Sequence, residues 1–360
     1  MTSVRLRTVA QRAVSFSLTL ILLVAAAAGY AREVTDMTGR KVRVPNTINK
    51  IYCTSQLGTV FFYTLAPETL AGWSNDLSPD ARKYLAKRYA DLPNIGGWYS
   101  QQAPSNSENL LKAGPDVIVS MGEINHTAIS TSERLQQQTG IPLLMVTGHL
   151  TDLDQSYEYA AALLGIPDRA RPLAAYCKAT VTEIQMKTKR LTANQRCRVY
   201  LAEGPRGLDT ITSGSIHAEL LDFVGGINVA AMRAKGFGGG KVSISMEQLL
   251  AWNPDVIVVV GDFTAQADGF GSIMKRDPAW NRLKAVREGR VYEVPQYPFN
   301  WFGRPPSVNR LIGAKWLAQC LYPQLVNYDL AKETRAFYKL FYHRELSDSE
   351  IMELLGKAIQ

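Results

Sequence analysis

The sequence predicts an α/β protein of two lobes, each built on a mainly parallel sheet, joined by a single long helix with a cleft between them. Three observations carry that prediction. The chain has 360 residues, about twice what one ordinary hydrophobic core serves. It contains an internal echo: Glu108 to Glu123 reads ENLLKAGPDVIVSMGE and Glu247 to Asp262 reads EQLLAWNPDVIVVVGD, nine of sixteen positions being identical at a separation of 139 residues. Between the two copies, from Asp152 to about Thr192, the apolar spacing is helical and no strand signal interrupts it.

Residues 1–31 read as a signal peptide. Arg5, Arg7 and Arg12 form a basic opening, Val14 to Val24 is an apolar centre, and Gly29-Tyr30-Ala31 is a small-x-small cleavage signature. An uncleaved membrane anchor is the alternative. No cysteine lies near the cleavage point to carry a lipid, so a soluble periplasmic protein is expected. Loss of the segment lowers the net charge from +8 to +5. The remaining Lys and Arg residues are scattered, without the basic stripe that nucleic-acid binding requires.

The first lobe is assigned to residues 32–150. Val34 to Val44 reads as a hairpin turning at Thr38-Gly39, and Ile48 to Thr54 as the first buried strand. The first echo copy gives a short helix, a Pro115-Asp116 break and a buried strand, because proline cannot continue a helix. Its apolar run does not alternate, as in a parallel strand covered on both faces. Ile141 to Val146 is a later strand. Residues 151–194 form the connecting helical segment, with helices over Tyr157 to Leu164 and Arg169 to Leu191. The second lobe, 195–360, opens on the strand Arg198 to Ala202, carries the second copy, and adds a strand at Arg290 to Val294. From Arg310 the pattern is helical, with Leu311, Ile312, Lys315, Trp316 and Leu317 giving an amphipathic segment and Ser347 starting a last helix. Cys53, Cys177, Cys197 and Cys320 allow three full pairings, and none is assigned.

Several segments resemble the helix-linked (class III) periplasmic solute-binding proteins of ABC importers for iron siderophores, haem and vitamin B12. They are DMTGRKVRVP from Asp36, both E-x-L-L-x-x-x-P-D-V-I-V copies, GGINVA from Gly225, and WFGRPPS from Trp301. The resemblance implies two Rossmann-like lobes and a ligand held between them. It further implies an importer permease dimer with its ATPase as partner, no enzymatic activity, no resident cofactor and a monomer. Lys235-Gly236-Phe237 and the tyrosine-rich stretch Phe337 to Tyr342 are similar to a molybdate-binding branch. An iron complex of ferric siderophore type is the expected ligand. Molybdate or tungstate, and a corrinoid or haem, are the alternatives.

The resemblance assigns Glu108 and Glu247 to permease docking, one glutamate per lobe. The same residues also read as helix-start residues, Ser105-x-x-Glu108 being a capping box and Ser245 a cap ahead of Glu247. Ligand contacts are expected where loops follow the strands, at Gln56, Gly122-Glu123, Glu203 to Arg206 and Asp262. Trp98, Tyr99 and Trp301 offer aromatic faces, and Arg206 and Arg304 offer bidentate donors for anionic groups. His217 is the histidine assigned to the ligand. Four scattered histidines make a naked metal ion a poor match, so a pre-chelated metal is expected and no metal ligand is assigned. KGFGGGK at Lys235 fails the phosphate-loop pattern because Val242 stands where Ser or Thr should be. A secreted chelatase or hydrolase is the rival class, but neither G-x-S-x-G nor H-E-x-x-H occurs.

Overall fold

The computed structural model describes residues 31–98, 105–232, 240–261 and 269–356. Residues 1–30 of the expected signal segment, Tyr99, residues 235–239 of the glycine-rich run and Asp262 therefore lie outside the described residues, while Ala31 opens the first strand. The described chain begins with an antiparallel hairpin, β1 (Ala31–Thr35) and β2 (Lys41–Pro45). Asp36 holds its turn: Oδ1 accepts from the Thr38 and Arg40 amides, and Oδ2 from the Arg40 guanidinium. The same Oδ2 accepts from the Met145 amide at 3.2 Å, which fastens the hairpin to lobe one.

Lobe one is a parallel sheet in the order β3 (Ile51–Cys53), β4 (Val117–Gly122), β5 (Leu143–Thr147). Helix α1 (Gln56–Leu65) follows β3, α2 (Ser107–Ala113) precedes β4, and α3 (His126–Thr139) joins β4 to β5. Helix α4 (Leu153–Leu164) stops at Gly165, whose φ of 72° is a left-handed turn that glycine adopts without strain. The connector α5 (Pro167–Thr188) then runs for 22 residues, roughly 33 Å.

Lobe two is a parallel sheet in the order β11 (Val291–Glu293), β10 (Val256–Val259), β6 (Arg198–Ala202), β8 (Ile227–Asn228). A small antiparallel pair, β7 (Asp209–Ile211) with β9 (Lys241–Ser243), leaves no strand signal in the sequence because each strand is three residues long and two of the three are polar. Helices α6 (Glu219–Phe223) and α7 (Met246–Trp252) belong to this lobe, and α8 (Arg310–Leu321), α9 (Leu330–Phe341) and α10 (Asp348–Leu355) close the chain.

The echo is structural down to its hydrogen bonds. Asn106 and Ser245 cap α2 and α7, accepting from the Asn109 and Gln248 amides. Both helices end on a left-handed residue, Gly114 and Asn253. Asp116 Oδ2 then accepts from the Asn49 and Lys50 amides, and Asp255 Oδ2 from the Arg198 amide. The repeated Pro-Asp thus ends a helix and ties the next strand to its neighbour. The capping box expected from Ser105 does not form, because Asn106 takes the cap. Glu108 and Glu247 consequently occupy the same place, the second residue of equivalent helices, and both are exposed.

Helix α8 departs from its expected amphipathic pattern. Every residue except Gln319 is buried, because the helix runs between α5, α6 and α9. Its two charges are neutralised in place. Lys315 Nζ lies 2.7 Å from Glu333 Oε2 and faces the Tyr176 and Tyr328 rings, while Arg310 is treated with the site below. An aromatic seam then joins the lobes: Tyr342 meets Tyr63, Phe341 meets Tyr157, Phe299 meets Trp73, and Tyr297 stacks parallel to Tyr84. One continuous apolar cluster therefore spans both lobes and the connector.

Candidate ligand-binding site

A cavity of about 590 Å³ opens between the lobes. Lobe one supplies the residues after β3, the end of β4 and the start of α3: Ser55, Gln56, Ser120, Gly122, Glu123 and Asn125. Asn75 joins them, donating to Gln56 Oε1 at 2.8 Å. Lobe two supplies Ile216, His217 and the Arg304-Pro305-Pro306 turn. Apolar contact comes from Met121, Ile124, Met145 and Val146. The loops following parallel strands thus converge where the fold class leads one to expect them.

Two helices start at this cavity. Asn125 caps α3 by accepting from the Ala128 amide. Helix α1 has no side-chain cap; the Ser55 hydroxyl points away from its first turn and donates to the Met121 carbonyl at 3.2 Å. First-turn amides of such a helix carry partial positive charge and favour an anion.

Arg304 is the one cation among the described residues lining the cavity. Its Nε donates to Glu203 Oε1 at 2.8 Å, and the glutamate side chain is only 5% exposed. Asn300 Oδ1 accepts from the Phe302 and Gly303 amides, which folds the backbone leading into Arg304. Gly303 lies against the His217 backbone so closely that a Cβ would come within 2.8 Å of its carbonyl oxygen. In return, His217 Nδ1 lies 2.6 Å from the Gly303 carbonyl. A carbonyl only accepts, so Nδ1 carries the proton and a neutral ring keeps its lone pair on Nε2. Burial, followed by the nearby Arg304 charge, lowers the His217 pKa to about 4.

A buried ion pair of lobe two, Arg310 with Glu219, is hydrogen-bonded to lobe one. Arg310 is fully buried; it pairs with Glu219 Oε2, donates to the Gly148 carbonyl of lobe one at 2.6 Å, and donates through Nε to Ser307 O at 3.1 Å. Glu219 Oε1 accepts from the Leu150 amide at 3.1 Å and lies 3.0 Å from His149 Nδ1.

The expected site residues separate into those that line the cavity and those that do not. Gln56, Gly122, Glu123, His217 and Arg304 line it, and Glu203 stands directly behind Arg304. Trp301 does not: it is wholly buried, with Nε1 donating to Tyr338 Oη at 3.2 Å, and belongs to the aromatic seam. Trp98 packs onto the cluster of Tyr52, Ile118 and Met145 and is not among the residues lining the cavity. Arg206 is exposed on the β6–β7 turn, and its charge acts on Asp209. No group of three or more His, Cys, Asp or Glu gathers as a metal site among the described residues.

Sequence reading passed over Ser55, Asn75, Ser120 and the Glu219–Arg310 pair. Only Ser120 left a signal. It is the polar residue in an otherwise apolar strand, and the echo has Val259 in its place.

Two parallel α/β lobes facing each other across a lined cavity define a protein that captures a small solute. Comparison with known proteins agrees. Residues 86–298 match the family described as periplasmic binding protein, and the chain belongs to that family. It is the helix-linked (class III) kind, the extracytoplasmic solute-binding component of an ABC importer rather than an enzyme. A solved ABC transporter solute-binding protein from Sulfurospirillum deleyianum is 30% identical, with a TM-score of 0.82 over 90% of this chain and 99% of that one. The molybdate-binding protein MolA of Haemophilus influenzae is 27% identical over 86% of this chain and 91% of its own. Its molybdate-bound structure has a TM-score of 0.67 at 26% identity, covering 88% of this chain and 99% of that one. The haem-uptake protein IsdE of Staphylococcus aureus is 25% identical over 61% of this chain and 72% of its own.

Proposed function

We propose that this protein captures an oxyanion of the molybdate or tungstate type and delivers it to an importer permease. The observation that carries the reading is the convergence of Arg304 with the uncapped amino terminus of α1 and the start of α3 in one cavity. Likeness to MolA over most of both chains supports the same ligand and favours it over the iron complex expected from sequence. In this reading Arg304 and the first-turn amides of α1 hold the anion's oxygens, with Ser120, Gln56 and His217 as neutral neighbours. Glu123 stands at the rim. The lobes are residues 32–150 and 195–360, joined by 151–194. Glu108 and Glu247, exposed at equivalent helix starts, meet basic residues on the two permease subunits.

A second reading keeps a ferric chelate as cargo. It is favoured by the cavity's volume of about 590 Å³ and its apolar wall, roomy for a tetrahedral oxyanion and ample for a chelate. Isothermal titration of the mature protein with molybdate, tungstate, sulfate, a ferric siderophore and haem separates the two. Saturable one-to-one binding of molybdate and tungstate, with none of the chelates, is expected. Binding of a chelate alone replaces the first reading by the second.

A further inference from the structure

The arrangement behind Arg304 bears on which anions the cavity accepts. Glu203 lies at the end of β6, paired by backbone hydrogen bonds to Asp209 in both directions, 2.8 and 3.1 Å, so its position is set by the sheet. Its carboxylate is nearly inaccessible, yet it bonds Nε of an arginine whose side chain is 25% exposed and lines the cavity. A guanidinium approached from behind in this way is oriented by the carboxylate and simultaneously offset by it. His217, the next titratable lining group of lobe two, is neutral because its pKa is lowered to about 4, so it does not restore a positive charge at neutral pH.

We infer that Glu203 is both the positioning residue for Arg304 and the residue that sets how strongly the cavity discriminates between ligand charges. This rests on the oxyanion reading above. The Coulomb interaction of a fixed charge with a ligand scales with the ligand's charge. Taking away the carboxylate's charge therefore strengthens a dianion's binding by the square of the factor it gives a monoanion of the same shape. A factor of about tenfold for the monoanion and about a hundredfold for the dianion is the expected order at an effective dielectric near 20 with solvent screening.

Molybdate and perrhenate are tetrahedral oxyanions of similar size that differ by one charge, which makes them the probes. Their dissociation constants are measured by titration calorimetry on the full mature chain carrying Glu203, Glu203→Gln or Glu203→Ala, with far-ultraviolet circular dichroism to check folding. Glu203→Gln keeps an acceptor for Nε, and its molybdate-to-perrhenate affinity ratio should rise about tenfold. Glu203→Ala removes the same charge and the acceptor; both affinities should fall below those of Glu203→Gln and its ratio should rise by less, because a displaced Arg304 costs the dianion more than the monoanion. Should Glu203→Gln fail to fold, the ratio in Glu203→Ala still tests the charge effect. An unchanged ratio in variants that bind overturns the inference and leaves the oxyanion reading standing. If the unmodified chain binds neither oxyanion, that reading falls and takes this inference with it.

Discussion

Replacing Glu219 by Gln is the sharpest test of what the buried Arg310–Glu219 pair contributes to the fold. Both carboxylate oxygens are committed: Oε2 to the fully buried Arg310, Oε1 to the Leu150 amide and His149. A glutamine offers one acceptor and one donor amide, so either the Arg310 guanidinium or the Leu150 amide loses its partner. The larger cost is charge. Arg310 keeps hydrogen bonds to the Gly148 and Ser307 carbonyls but no counter-ion, and stranding one member of a buried pair costs about 3–5 kcal/mol. Burial already lowers the Arg310 pKa, with Glu219 opposing that effect, so the carboxylate is what keeps the cation tolerable there.

The assay is urea unfolding at pH 7, reading the transition midpoint and slope. A drop of about 3–5 kcal/mol with an unchanged slope is expected. Arg310→Met should cost less, because Glu219 is 20% exposed and keeps the Leu150 amide and His149. The double variant Arg310→Met with Glu219→Leu should recover much of the loss, since removing both charges removes the penalty for stranding one. A Glu219→Gln variant within about 1 kcal/mol of the parent would refute the reasoning, because an uncompensated buried guanidinium cannot be that cheap.

Three further outcomes follow from the same structure. Gly313→Ala would drive a Cβ to 1.9 Å from the Trp301 carbonyl oxygen; backbone must shift, so a loss of about 3 kcal/mol in unfolding free energy and weaker ligand binding through the displaced Arg304 segment are expected. His217 has a folded pKa of about 4 against 6.5 in an unfolded chain, so the unfolded state binds more protons between those values. Its contribution is complete above about pH 6.5 and falls with acidification, roughly 3 kcal/mol being lost by pH 4; stability curves of His217→Asn should lack that part of the slope. Replacing Glu108 and Glu247 together by Ala should leave the calorimetric ligand affinity unchanged while abolishing uptake in a reconstituted importer; a fall in affinity would remove them from the docking face.

The architecture was legible because its signals are local. The Pro-Asp pairs, the unbroken apolar runs and the uninterrupted helical stretch each follow from backbone chemistry within a few residues. The cavity was legible only in part. His217 and Arg304 could be placed near it from their positions at a probable helix start and beside a Pro-Pro turn, but Trp301 lies three residues from Arg304 and faces the opposite way, into Tyr338. Which side of a loop a side chain takes is decided by tertiary partners, here Asn300 and α8, and periodicity has nothing to say about it. The Glu219–Arg310 pair was invisible for the same reason: its members are 91 residues apart, and Arg310 sits in a helix whose pattern gave no hint that all its faces are covered.

The echo itself argues for how this protein's two tasks are divided. What the copies share is the capped helix start with its exposed glutamate, the Pro-Asp tie and the strand behind them. The polar contacts to the cavity lie largely where they part: Ser120 lines it in one copy and Val259 lies buried in the other, while His217 and Arg304 come from segments outside the repeat. Duplicated parts suit a partner with two-fold symmetry, whereas a small ligand held in one cavity places no such demand on the parts that hold it. If docking uses the two glutamates as proposed, substitutions in the cavity can alter the cargo while the surface offered to the permease stays the same. That separation is consistent with relatives of this fold being named for molybdate in one case and haem in another.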